Sequence, residues 1–401
     1  MQTSIDRSIQ FLLLTFSATV ISCNGQEKPK LVSPMNDSAV VKKDTVQKVK
    51  VLERTERFDR LSAFLSGMPV TADSLLAKRQ NSECWKQHAA AIDSSWHSVK
   101  KIRLDKMVAW AGAEFPEQVK SNRTVFYPFS GPDFLNAFIL FPNAKQYVML
   151  ALEPPGSLPD AGKMREEPVC NYLGNMRTAL QDIFGKSYFI TRRMNKQLSA
   201  DKIDGALPVI TFFMKMTGNT IINIHRVTID TLGNGVEVPY DTIIDWHRPR
   251  GVRIDFYAGS DTNDVRTAYY FSCDLVNKSF NNETKFYKYL MKMPEVTTYI
   301  KSASYCLHDK IFSNVQDMIL AKSLFLLEDD TGVPFRFFKP ELWNTKLYGV
   351  YVKPVSDFNY GFQPDLDKLY KDGKNVKPLE FDLGYHWGNK KDNLMTFTKK
   401  K

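Results

Sequence analysis

Between Thr55 and Phe115, apolar residues recur at three- and four-residue intervals. Phe58, Leu61, Phe64 and Leu65 form one run, and Leu75, Leu76, Trp85, Ala89, Ile92, Trp96 and Val99 a longer one. That period places one apolar stripe on a 3.6-residue helix, so the segment is expected to be helical, with Pro116 closing it. After residue 120 the texture changes. Thr124–Pro128 is short and β-rich, Phe134–Phe141 has helical spacing, and Tyr147–Leu152 is almost unbrokenly apolar, ended by Glu153-Pro154-Pro155-Gly156. A strand without polar alternation is one buried on both faces, so 145–152 is expected at the centre of a sheet. Residues 171–216 read as two or three helices. The segments 221–224, 252–257 and 267–271 read as strands, the last two joined by a hairpin loop over 259–264. Beyond them, 286–293 and 309–321 are helical in pattern, 297–307, 323–327 and 345–353 are strand-like, and 365–370 is a short helix. No internal repeat interrupts this order. It predicts an α/β or α+β fold, with an N-terminal helical subdomain over 51–118 followed by a mixed sheet with flanking helices over 119–401.

The apolar run 9–21 is shorter than the roughly 20 residues a transmembrane helix needs, and it suits the core of an export signal. It ends in Val20-Ile21-Ser22-Cys23, which resembles a bacterial lipobox. That resemblance implies cleavage before Cys23 and acylation of its thiol and amine, making 1–22 a signal peptide. Acyl chains contribute about 0.8 kcal/mol for each buried CH₂, enough together for stable membrane anchoring. Residues 23–50 are polar, rich in Lys and without a sustained period, so they are expected to be a flexible tether. Within it, Asp37-Ser38-Ala39 and Asp44-Thr45-Val46 resemble the O-glycosylation acceptor of Bacteroidota, which marks Ser38 and Thr45. The expected address is the cell envelope, with the body lipid-anchored and facing the periplasm or the cell surface.

Composition adjusts this picture in two places. The 54 Lys and Arg exceed the 44 Asp and Glu by ten, but they are spread along all 401 residues with no arginine-rich or aromatic-interleaved block. A nucleic-acid reader would concentrate that charge, so no nucleic acid is expected. The excess suits an anionic envelope polymer or a protein partner, beside the membrane itself. With Cys23 acylated, Cys84, Cys170, Cys273 and Cys306 remain. An even number in an exported chain permits disulfides in three pairings, and buried free thiols are the alternative.

Candidate chemistry is sparse. Tyr127-Pro128-Phe129-Ser130-Gly131-Pro132-Asp133 is a strand running through a tight turn into a helix, where Ser130 could stand as a nucleophile. Prolines occupy both glycine positions of the Gly-x-Ser-x-Gly elbow, and Ser130-x-x-Asp133 ahead of an apolar helix is better read as a capping box. Glu328-Asp329-Asp330-Thr331-Gly332 follows an apolar strand. One Asp-Thr-Gly is half of what aspartic-protease chemistry needs, so a turn is expected, with Gly332 at positive φ and Asp330 bonding its own backbone. The histidines, His308 and His386 among them, have no HxH or HExxH spacing, and no metal or cofactor is expected.

Three segments, Tyr127-Pro128-Phe129-Ser130-Gly131-Pro132-Asp133-Phe134, Glu328-Asp329-Asp330-Thr331-Gly332-Val333-Pro334-Phe335 and Gly384-Tyr385-His386-Trp387, resemble an uncharacterised family of exported bacterial lipoproteins of Bacteroidota type. The likeness extends over roughly residues 120–390. It implies an envelope protein and brings no activity, cofactor or catalytic residue, and Glu328 departs from the amide usual at its position. The expected function is therefore a lipid-anchored envelope protein whose body binds or interacts. The alternatives are an envelope hydrolase with a cleft lined by Tyr127, Ser130, Asp133, Asp329, Asp330 and either His308 or His386, and a structural protein with no ligand. Convergence of the 127–133 turn and the 328–332 loop on one place separates these.

Overall fold

A computed structural model describes residues 56–70, 74–241, 250–259 and 261–400. The expected signal peptide, Cys23, the tether, Ser38, Thr45 and His247 lie outside them. No described helix is long and apolar enough to cross a membrane.

Among the described residues eleven strands form one mixed sheet: β1 (Val125–Tyr127), β2 (Gln146–Ala151), β3 (Thr220–Ile229), β4 (Gly235–Pro239), β5 (Arg250–Tyr257), β6 (Val265–Ser272), β7 (Val296–Ile300), β8 (Ser323–Glu328), β9 (Trp343–Gly349), β10 (Val376–Lys377) and β11 (Asn393–Lys399). Their spatial order is β10-β9-β11-β8-β7-β1-β2-β6-β5-β3-β4. The five central strands, β8-β7-β1-β2-β6, run parallel. Antiparallel strands extend the sheet on both sides. The unbroken apolar run of β2 lies where such a run belongs, between two parallel neighbours and buried on both faces.

Alternation along the central strands divides the core in two. Tyr127, Met149, Tyr299 and Leu327 face one layer of helices, which includes Phe134–Leu140, Glu166–Lys186 and Leu207–Met216. Phe126, Val148, Leu150, Ile300 and Leu326 face the other, which includes Lys285–Met291 and Ser313–Lys322. The helices of 56–120 belong to the first layer. Phe115 packs on Phe141 and Phe325, and Trp110 on Tyr348 and Phe381. The described residues from Glu56 onward thus belong to one compact unit, and the helices before and after residue 118 share one core layer.

The strand expected over 297–307 stops at Ile300. Lys301 is buried beyond it, and Ser302, Ser304 and Tyr305 adopt left-handed backbone (φ 51°, 52° and 54°), which no strand accommodates. Strands β4, β10 and β11 carry weak apolar signals and escape the pattern. Between Glu83–Val99 and Asp105–Glu114 the helix widens into a π-turn at Lys100–Leu104. The turn places Arg103, from an apparently solvent-facing Lys-Lys-Ile-Arg run, inside the core.

Of the expected cysteines, Cys84 and Cys170 form a disulfide, while Cys273 and Cys306 are free and half-buried. The bridge joins helix Glu83–Val99 to helix Glu166–Lys186 and closes a loop of 86 residues. A loop of that length removes much unfolded-state entropy. The variant C84A/C170A is expected to lose about 2–5 kcal/mol of unfolding free energy in urea titrations. A loss below about 0.5 kcal/mol would show that the two helices hold each other without the bridge.

Candidate functional site

Chain order along the parallel strands reverses between β1 and β7. From β1 the chain moves outward to β2 through helix Phe134–Leu140 on one face. From β7 it moves the other way to β8 through helix Ser313–Lys322 on the opposite face. At such a switch point the loops leaving the carboxyl ends of the two strands part, and α/β sheets place ligands there. The loops after β1 (128–133), β7 (301–305) and β8 (329–333) meet at this edge.

Lys301 stands between them. Its ammonium is 3.1 Å from Asp133 Oδ2 and also donates to the carbonyl of Ser187, with both charged side chains almost wholly buried. Tyr127 donates its hydroxyl to the same Asp133 oxygen at 3.0 Å, and Asn136 Nδ2 donates to both oxygens. Asp133 is also the N-cap of helix Phe134–Leu140, accepting from the Asn136 N–H. The cap expected at Ser130 therefore lies three residues later. Ser130 Oγ donates to the carbonyls of Gly131 and Leu150, because its turn folds back on β2. Those two carbonyls are its hydrogen-bond partners in this turn. Arg103 donates to the Ile183 carbonyl at 2.7 Å and adds positive potential near Asp133 and Tyr299, with burial pushing its own pKa down to about 10.

The β8 loop corrects two expectations. Asp329, rather than Asp330, folds onto its own backbone, accepting from the Thr331 N–H at 3.0 Å; its other oxygen accepts from Ser302 N–H at 2.8 Å across the gap to the β7 loop. Asp330 accepts from the Tyr305 hydroxyl (2.5 Å) and from Asn393 Nδ2 (2.9 Å). Gly332 is not at positive φ. It is glycine because a Cβ would meet Glu328 Oε2 at 2.1 Å. That Glu328 is fully buried, with Oε2 accepting from Val333 N–H and Oε1 unpartnered.

A fourth segment covers the edge. Asp392 accepts from the N–H groups of Leu383 and His386, both at 3.0 Å, and draws 383–386 over the sheet. Gly384, at φ 131°, brings its backbone against Asp329 and Asp392; a Cβ there would lie 3.3 Å and 3.2 Å from their oxygens. Tyr385 donates to the Ser302 carbonyl at 2.8 Å and packs on Tyr188 and Phe358. Left-handed backbone gathers here: Phe129, Ser187, Ser302, Ser304 and Tyr305 all have positive φ. Each such residue costs on the order of 1–3 kcal/mol, offset by the buried bonds that hold it.

Tyr127, Asp133, Asp329, Asp330 and His386 are therefore brought to one edge. His308 sits behind the Asp330 loop, edge-on to Tyr305. Arg103, Lys301, Tyr299 and Asp392 escape a motif search. The one legible signal was Lys301, a lysine closing an apolar strand. The Tyr299 hydroxyl is buried and unpartnered, and desolvation together with Asp133 and Asp329 holds its pKa well above the usual phenol range. Among the described residues no three His, Cys, Asp or Glu side chains converge to hold a metal.

Burial dominates the titration of this edge. It raises the pKa of Asp329 and Asp330, each worsened by neighbouring charge for Asp329 and relieved by Tyr305 and Asn393 for Asp330. It holds Glu328 well above the usual carboxylate range and lifts Asp392 to about 6. It lowers His308 to about 4, and in helix Glu83–Val99, away from the edge, it lowers His88 to about 4 as well.

These shifts fix a pH dependence. A carboxyl whose folded pKa is raised binds its proton more tightly in the folded chain, so stability falls as pH climbs from about 4 toward that folded pKa. The lowered histidines act oppositely up to about pH 6.5 and are silent above it. Unfolding free energy is thus expected to fall as pH rises above about 6.5, by about 1.4 kcal/mol per pH unit for each carboxyl caught between its two pKa values, with Asp329 contributing up to about 7. The E328Q variant, neutral throughout, should flatten that fall. Urea titrations showing a flat or rising wild-type profile in this window would contradict the assignment.

Compared with known protein families, curated proteins and solved structures, the chain has no match.

Proposed function

We propose that the chain is a lipid-anchored cell-envelope protein whose body serves as a binding and interaction module. The anchor reading rests on Val20-Ile21-Ser22-Cys23, the polar segment after it, and the likeness to exported lipoproteins. The Cys84–Cys170 disulfide supports it independently, since such bridges persist in oxidising compartments.

The observation that carries the module reading is how the carboxyl edge spends its hydrogen bonds. Asp133 serves Lys301, Tyr127 and Asn136; Asp329 serves Thr331 and Ser302; Asp330 serves Tyr305 and Asn393. The bonds of Asp133 to Lys301, of Asp329 to Ser302 and of Asp330 to Tyr305 and Asn393 each join separate segments, so the edge acts as a polar keystone that fixes the outer surface in one shape. A preorganised surface loses little entropy on binding.

A hydrolase is the second reading, and one observation favours it. Asp329 and Asp330, both raised by burial, lie at a switch point with Asp329 near the buried Lys301, where general acid–base chemistry near neutral pH would draw on them.

Metabolic labelling with radioactive palmitate tests the anchor. Label is expected on the wild-type protein and absent from C23A; a C23A protein that still carries label removes the anchor from Cys23. Chromogenic ester, glycoside and phosphate substrates test the body. Turnover by purified protein that disappears in both D329N and D330N would displace the module reading, whereas no turnover agrees with it.

A further inference from the structure

A groove of about 800 Å³ opens between the turn after β8 and the helix Pro364–Asp372. We propose that this groove docks an acidic, amphipathic peptide segment of a partner protein; the proposal rests on the binding-module reading and names its partner class. The floor of the groove is apolar, formed by Phe335, Phe338 and the exposed Leu369. Its walls are basic. Arg336 and Lys339 rise from the turn, and Lys368 and Lys371 from the helix. Lys371 is held by Asp367 at 2.6 Å, and the lining carboxylate Asp372 faces Lys374 at 3.6 Å. Arg336, Lys339 and Lys368 have no ion pair among the described residues, and the Arg336 guanidinium lies over the Phe337 ring at 4.9 Å. Three exposed cations with one remaining lining carboxylate, Asp365, leave the groove positive.

Two features together select the occupant. The unpaired cations ask for an anion, and charge complementarity of this kind speeds encounter and selects partners. The phenyl and isobutyl floor asks for apolar side chains, and the buried centre of an interface is where such contacts pay off. A sulfated polysaccharide would meet the first demand and leave the second against hydroxyl groups. A peptide that alternates carboxylates with aliphatic or aromatic residues meets both, and a volume in the range of about 300–1,000 Å³ takes a few such side chains. Arg336, Lys339, Lys368 and Leu369 are exposed, so replacing them leaves the core intact.

The test is fluorescence anisotropy with a fluorescein-labelled synthetic peptide alternating Glu with Leu and Phe, compared with labelled oligoglutamate and labelled heparin. The amphipathic peptide is expected to bind the full chain more tightly than either comparator. Its affinity should drop at least about tenfold in R336Q/K339Q/K368Q, should drop in L369Q, and should weaken with added salt. Circular dichroism melts matching wild type would show that both variants are folded. No binding to wild type, or binding indifferent to the triple substitution, overturns the proposal. Heparin or oligoglutamate binding as tightly as the peptide, with L369Q silent, also overturns it, because the groove would then be a general polyanion surface. The palmitate experiment moves only the anchor, so a failed peptide experiment with label intact at Cys23 removes the docking groove alone.

Discussion

An ammonium group taken out of water loses several kcal/mol of solvation, which only a close counter-charge and further hydrogen bonds can repay. Lys301 is such a group, exposed to only 3% and seated where β7 ends. Its partners come from elsewhere in the chain: Asp133 from the turn after β1 and the Ser187 carbonyl from the loop after helix Glu166–Lys186. Satisfying Lys301 therefore requires these segments to meet at one point. Asp329 then draws the β8 loop onto the β7 loop through Ser302, and Asp392 draws 383–386 over both. The left-handed conformations of Ser187, Ser302, Ser304 and Tyr305 are tolerated because these bonds fix the residues on either side.

The same arrangement explains why the edge is rich in perturbed carboxyls. Carboxylates buried together with little solvent have raised pKa values whether they catalyse or merely hold loops. Here their oxygens face backbone N–H groups, tyrosine hydroxyls and amides from neighbouring loops. Glu328 Oε1 and the Tyr299 hydroxyl are buried without a partner, which marks the edge as polar beyond what the loops themselves use. The basic groove is built on the turn that β8 launches and on helix Pro364–Asp372. Fixing the β8 loop also fixes one wall of that groove.

Much of the fold was legible from periodicity. The continuous apolar run of β2, the alternating pair β5 and β6, and the helices Phe134–Leu140 and Ser313–Lys322 all announce themselves, because their burial is written in local spacing. The end of β7 was not legible. An apolar run seemed to continue through Tyr305 and Leu307, and only tertiary contacts to Lys301 force the break. Strand β11 is equally quiet in sequence and is made a strand by lying between β8 and β9. For the edge, Tyr127, Asp133, Asp329 and Asp330 were visible as motif residues. Arg103 was hidden because a π-turn redirects it, and Asp392 because a lone acid in a Lys-rich segment looks like surface. Ser130 misled because a serine before an apolar helix normally caps it, yet the turn is one hydrogen bond tighter and hands the cap to Asp133.

The pairing of Lys301 with Asp133 is most directly measured by a double-mutant cycle on unfolding free energy, with D133N, K301M and the double variant. Each single change should cost about 3–5 kcal/mol, since each strands a buried partner. The double variant should cost less than the sum by at least about 2 kcal/mol, the signature of direct interaction. Costs that add to within about 0.5 kcal/mol would mean that the two groups do not depend on each other and that something else assembles the edge.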